Sequence, residues 1–244
     1  MIASISKKEW IIIAYMVLIK LLMHFLTNTN YDIHRDTFLY YSLGQNLDWG
    51  YASVPPLIGL IAKISTLFFG HSAFALNFFP ALAGGISIVL ISLIIKELGG
   101  NIFAIIITSL AFILSPSYLR SNSLMQPVAF DQFFWLLSAY FIVKLISTSQ
   151  TKYWLFLMSV WAIGFMNKYL IAVFAVSFIL ALLFTRHRKL ILSRHFLFGI
   201  LLGFIIVLPN IIWQYNHNWA AFHHLSELSK SQLVNVSAIG FLVD

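Results

Sequence analysis

The stretch YWLFLMSVWAIGFMNKYLIAVFAVSFILALLF, residues 153–184, decides how the chain is folded. It is apolar throughout except for Asn167 and Lys168 near its middle. Read as one segment, it crosses a bilayer once. Read as two short segments meeting at Asn167-Lys168, it crosses twice. A span takes about 20 apolar residues, so each half alone is short. Charges elsewhere make the choice. Lys7 and Lys8 precede the first apolar segment, and the longest basic cluster, Arg186, Arg188, Lys189 and Arg194, follows residue 184. Two spans put both clusters on one side; a single span puts them on opposite sides. Basic residues gather on the cytoplasmic side of a membrane chain, which selects two spans and a cytoplasmic N-terminus.

Composition agrees with a bilayer setting. Of the 244 residues, 60% are apolar and only 9% charged, where a soluble domain carries about 25% charged residues. The absence of cysteine excludes disulfide and thiolate chemistry. The net charge of +7 does not imply a nucleic-acid partner, because the basic residues sit singly or in short clusters between apolar runs. The reading is an all-α polytopic transmembrane protein. Its seven expected spans cover residues 10–26, 73–95, 102–119, 128–146, 153–166, 169–184 and 196–213. The first reads as an uncleaved signal anchor, since MHFLTNTN has no small-x-small cleavage site.

This topology places Lys96, Lys144 and Lys152 inside. Asp32, Asp36, Asp48, Arg120, Asp131, Lys168 and the segment after Trp213 lie at the outer face. Between the first two spans, residues 28–72 form a polar, aromatic outer loop. Residues 55–70, interrupted by Lys63, read as an amphipathic or re-entrant helix started by the proline pair. Residues 222–233 read as a further amphipathic stretch. We expect one transmembrane domain over 1–244.

The unusual residues therefore share one face. Asp36 is either a general base for an acceptor hydroxyl or the N-cap of a short surface helix. Asp131, an acid inside an apolar span, is either a second site carboxylate or half of an ion pair with Arg120 or Lys168. Arg35 and Lys168 suit an anionic group; alternatively Arg35 is a solvated loop charge and Lys168 snorkels to headgroups. Tyr40 lies one helical turn from Asp36 and shares its face. His217, His223 and His224 lack the spacing of a metal site. No metal site or other cofactor is assigned; a divalent cation stays open as a helper, because anionic phosphate chemistry often uses one. No glycine-rich phosphate loop follows a strand.

Several runs resemble a known family. RDTFLYYSLGQNLDWGYASVPPLIGLIAKISTLFFGHSAFALNFFPALAGG (35–85), KELGG (96–100), FDQFFW (130–135), NKY (167–169) and LPNIIWQYNHNW (208–219) are similar, in this order, to bacterial membrane glycosyltransferases of the dolichyl-phosphate-mannose–protein mannosyltransferase type. The aminoarabinose lipid A transferases belong to the same superfamily. The resemblance implies a type-C glycosyltransferase fold in the inner (plasma) membrane, with an active site on the periplasmic or extracellular face. It implies a polyprenyl-phosphate-linked sugar as donor and a lipid, glycan or protein as acceptor. It marks Asp36 as the catalytic acid of the first outer loop and Asp131 as its assistant.

The chain departs from the family pattern at Thr37, which follows Asp36 where the family usually has Glu. It departs again at Asn77, where the family often has Arg, and at Ser53-Val54, where the aminoarabinose branch has a phosphate-holding Lys before its Pro. The family's further helices and C-terminal outer domain are also expected to be missing. Beside transfer, two other readings remain: an inactive or partner-dependent truncated relative, and a transporter or lipid-carrier translocase.

Overall fold

The computed structural model describes residues 5–27 and 33–232. Asp32 and the apolar run from Val234 lie outside the described residues. Among the described residues eleven α-helices follow one another: α1 (Lys7–Thr27), α2 (Arg35–Gln45), α3 (Leu57–Phe69), α4 (Ala73–Glu97), α5 (Ile102–Leu114), α6 (Pro116–Ser121), α7 (Pro127–Thr148), α8 (Tyr153–Phe165), α9 (Ile171–Leu183), α10 (Arg194–Asn216) and α11 (Ala220–Gln232). A short 3-10 helix, Arg188–Leu192, precedes α10. No strand occurs among the described residues.

Four helices, α1, α4, α7 and α10, are long and apolar enough to cross a membrane. Four shorter apolar helices among the described residues, α3, α5, α8 and α9, are 13 residues each. The four long helices with α5, α8 and α9 account for the seven apolar segments, with one difference: the segment 102–119 is two helices. Pro116 has no amide hydrogen to donate and blocks continuation. The chain turns at Ser115 and restarts with Pro116 in the first turn of α6. Side-chain caps begin three of the long or apolar helices: Ser72 accepts from the Ala75 amide, Asn101 from Ala104 and Ser193 from Phe196, each satisfying an otherwise orphaned donor.

The residue 153–184 stretch is a helical hairpin. α8 ends at Phe165 and α9 begins at Ile171, and the turn between them holds Asn167 and Lys168. α5 lies against α1, α1 on α4, α4 on α7, α7 on α8, and α8 on both α9 and α10. The core is apolar and aromatic, with Ile58, Met125, Leu145, Trp154, Leu157 and Ile171 fully enclosed.

Ion pairs and hydrogen bonds mark one end of the bundle. Lys96 at the end of α4 reaches Glu9 at the start of α1 (2.8 Å), and Lys144 of α7 pairs with Glu97. Thr151 Oγ1 meets His195 Nδ1 (2.9 Å), and Trp154 Nε1 donates to the Leu190 carbonyl (2.9 Å). Lys96, Lys144, Lys152 and the 186–194 cluster thus lie at the end where α1 begins. At the other end α2 packs on α3, and α3 on α4. The stretch 55–70, expected to be an amphipathic or re-entrant helix, holds α3, with Pro56 at its N-cap position, and the stretch 222–233 falls largely in α11.

Candidate active site

Asp36 sits in the first turn of α2, at the end of the bundle away from the basic cluster. It is not the helix cap. That position belongs to His34, whose Nδ1 accepts from the Asp36 amide (3.2 Å). His34 Nδ1 also lies 3.9 Å from Asp36 Oδ2. Two donors hold the carboxylate. Arg35 Nε meets Oδ1 at 3.3 Å, and Gln126 Nε2, the cap residue of α7, donates to Oδ2 at 3.3 Å. Gln126 Nε2 also lies 3.5 Å from His34 Nδ1. Arg35 is 93% exposed, so its contact is weakly held. Asp36 is 38% exposed. Tyr40, one turn on, is half-buried against the core. Burial, and then the Asp36 charge, push its phenol above its ordinary pKa.

Asp131 lies in the second turn of α7 and is buried. Its Oδ2 faces Lys168 Nζ at 3.6 Å; of the two partners that the sequence allows, Lys168 is the one that pairs. The turn carrying Lys168 is fixed by its neighbours. Asn167, fully buried, donates to the Pro127 carbonyl (2.9 Å) at the start of α7. Tyr169 donates to Asn210 Oδ1 on α10 (3.2 Å) and accepts from Gln214 Nε2 (3.1 Å). The Leu57 amide of α3 donates to the Met166 carbonyl (2.8 Å). Consecutive residues Asn167, Lys168 and Tyr169 therefore tie α7 and α10 to one turn.

The loop between α2 and α3 is clamped as well. Asn210 Nδ2 donates to the Trp49 carbonyl (2.8 Å), and Gln214 Nε2 approaches the Tyr51 carbonyl (3.4 Å). Gly50 lies under the Trp213 ring, where a Cβ would overlap the indole. His217 caps the end of α10, stacks on Trp213 (3.9 Å between ring centres) and takes the Trp213 carbonyl as its Nδ1 partner (2.8 Å). Its partner is thus Trp213 rather than the Asp36 group. His223 is exposed and His224 partly buried on α11. Among the described residues no three His, Asp or Glu side chains cluster as metal ligands.

Sequence reasoning passed over Gln126, Tyr169 and Gln214. Gln126 stands immediately before Pro127, and a polar residue ahead of a helix-starting proline is a cap signal. Tyr169 and Gln214 are ordinary residues of an apolar helix end, and only the contact between α10 and the hairpin gives them a role.

A cleft of about 800 Å³ opens beside Asp36, walled by His24 and Phe25 of α1, Asn77 of α4, Arg120 of α6, and His34. His34 is shared between this cleft and the Asp36 group.

Residues 53–213, well over half of the 244-residue chain, match the family model described as dolichyl-phosphate-mannose-protein mannosyltransferase. The chain belongs to this family. It is accordingly an all-α polytopic membrane protein and a membrane glycosyltransferase by family. The matched region of this mannosyltransferase family holds Arg120, Gln126, Asp131, Lys168 and Asn210; Arg35, Asp36, Tyr40 and His217 flank it. Neither a curated protein nor a solved structure matches the chain.

Proposed function

We propose that the chain transfers a sugar from a polyprenyl-phosphate donor to an acceptor hydroxyl at the outer face of the inner membrane, with Asp36 as the general base. The observation that carries this reading is the setting of Asp36: a half-open carboxylate held by Gln126 and Arg35 beside a cleft that bears an Arg and two His. A carboxylate oriented by fixed donors, with its remaining lone pairs exposed, is arranged to take a proton from a hydroxyl.

In this reading the acceptor oxygen attacks the anomeric carbon, and its proton passes to Asp36. The bond from that carbon to the phosphate oxygen breaks with its electron pair on the phosphate. Attack opposite the leaving group inverts the anomeric centre. Arg35 stands at the mouth and draws in an anionic headgroup. Lys168 keeps Asp131 paired, and Asp131 in return fixes the α7 end that presents Gln126. Tyr40 lines the same face, and His217 borders the outer surface near the end of α10. The acceptor is a lipid, a glycan or a protein. The outer placement rests on the basic residues gathered at the opposite end of the bundle.

The test is transfer of a labelled sugar from a lipid-linked donor in membranes carrying the Asp36→Asn variant. Loss by about 100-fold or more is expected for removal of a general base, with normal insertion. Wild-type transfer by this variant would remove Asp36 from the mechanism.

A further inference from the structure

A second groove, of about 570 Å³, lies where the loop between α2 and α3 meets α3, α8 and α10. No residue assigned to the transfer reaction lines it. Leu57 and Leu60 of α3, Ile163 of α8 and Ile206 of α10 form its sides. The lining is apolar except for the Asp48 carboxylate and the indole N–H of Trp49, both from the loop.

The loop fixes these two residues through its backbone. The Asp48 amide donates to the Tyr51 hydroxyl (3.1 Å), and the Trp49 amide donates to Asp48 Oδ1 (2.7 Å). Asn210 Nδ2 holds the Trp49 carbonyl. Asp48 is exposed, and its Oδ2 meets neither a hydrogen-bond donor nor a cation among the described residues. Trp49 is 60% exposed, and its indole N–H has no acceptor among the described residues. The bond to Asn210 sets Trp49 level with the last turns of α10, and Ile206 lies about one turn further into the bundle. The groove therefore runs inward from a charged rim to apolar side chains. Leu60 and Ile163, 44% and 40% exposed, leave its flank open to surrounding hydrocarbon.

A carboxylate at the edge of an apolar layer is costly unless a cation meets it, and the groove's own wall supplies none. At this depth in a bilayer the cation to hand is a lipid ammonium. A primary ammonium brings three N–H donors, which suit the open lone pairs of Oδ2. The phosphate behind it suits the indole N–H, a donor only, and the upper part of an acyl chain suits the leucines and isoleucines below. A choline headgroup has the charge but no N–H to give. An anionic headgroup meets Asp48 with like charge.

We propose that this groove holds one aminophospholipid, a zwitterionic lipid with a primary ammonium headgroup, with Asp48 as the partner of the ammonium and Trp49 as the partner of the phosphate. The site is independent of the transfer reading and shares no residue with it.

The experiment titrates the full chain, delipidated in detergent, with phosphatidylethanolamine, phosphatidylcholine and phosphatidylglycerol of identical acyl chains, and counts bound lipid by native mass spectrometry. Wild type is expected to retain one phosphatidylethanolamine with at least about 10-fold preference over each of the others, the scale of one charge-assisted hydrogen bond. Asp48→Asn keeps an acceptor for the Trp49 amide and removes the charge. It is expected to lose the preference and bind all three alike. Trp49→Phe is expected to weaken phosphatidylethanolamine binding about 3-fold or more. Leu60→Trp, filling the groove from an exposed position, is expected to abolish retention of the single lipid. Asp36→Asn is expected to bind as wild type whether or not it transfers sugar, which keeps failure of one reading apart from failure of the other. Equal or tighter binding of phosphatidylcholine or phosphatidylglycerol by wild type would overturn the primary-amine assignment. An unchanged preference in Asp48→Asn would overturn the site itself.

Discussion

Gln126 Nε2 donates to Asp36 Oδ2 across 3.3 Å, joining residues 90 apart in sequence. This bond fixes the first turn of α2 to the cap of α7, so one oxygen of Asp36 has a set direction while the other meets the exposed Arg35. Gln126→Ala is expected to lower kcat by about 10- to 100-fold, since small misplacements of a reacting group have effects of this size. KM should change little, because Gln126 does not line the cleft. Steady-state kinetics with a lipid-linked sugar checks the split; a rise in KM alone would assign Gln126 to substrate binding.

The Asp131–Lys168 pair allows structure and chemistry to be separated. Lys168→Met leaves a buried carboxylate facing no cation and is expected to destabilise by about 1–2 kcal/mol. That figure lies below the value for a fully buried pair because Lys168 is 42% exposed. Asp131→Asn in the same chain should restore most of the loss. Thermal unfolding in detergent measures the cycle. If the double variant is stable but fails to transfer, Asp131 does more than hold the turn.

Asn210 bonds both the Trp49 carbonyl and the Tyr169 hydroxyl. Asn210→Ala leaves two groups near the buried end of α10 without this partner, a loss of about 1–3 kcal/mol for each group left unsatisfied. The loop between α2 and α3 is expected to loosen first, read as faster proteolysis near residue 49 before global unfolding.

Gly84 of α4 lies against the buried Lys20 of α1. A Cβ there would stand 2.7 Å from Asn122 Oδ1 and 3.1 Å from Lys20 Cε. Gly84→Ala is expected to cost about 1–3 kcal/mol through overpacking, while the same change at the spacious Gly203, whose nearest neighbour would be 3.6 Å away, should be nearly silent. A thermal shift comparison of the two decides it.

Sidedness can be tested without background, because the chain has no cysteine. Gln45→Cys, on the exposed end of α2, should react with a membrane-impermeant maleimide on intact cells. Lys152→Cys, at the basic end, should react only after permeabilisation. The reverse pattern would invert the orientation.

Charge made the topology legible. Lys7, Lys8 and the 186–194 cluster required the residue 153–184 stretch to double back, and the hairpin at Asn167 does so. The isolated acids were also visible, since each stands out in an apolar run. Their partners were harder to see. Gln126 carries no charge, and its role comes from a helix distant in sequence. Lys20 stood in plain view inside the first apolar segment, but a lone basic residue there has no reading until the Tyr118 carbonyl, to which its Nζ donates, is placed beside it. The break at Pro116 was in the sequence too, yet hydropathy alone runs straight across it.

The hairpin of α8 and α9 has a consequence for the lipid around it. Each arm has 13 residues and is about 20 Å long at 1.5 Å per residue, against a hydrocarbon layer of about 30 Å. A bilayer meeting short helices thins to match them. Thinning around this hairpin would bring the headgroup layer closer to the turn that holds Lys168 and Tyr169.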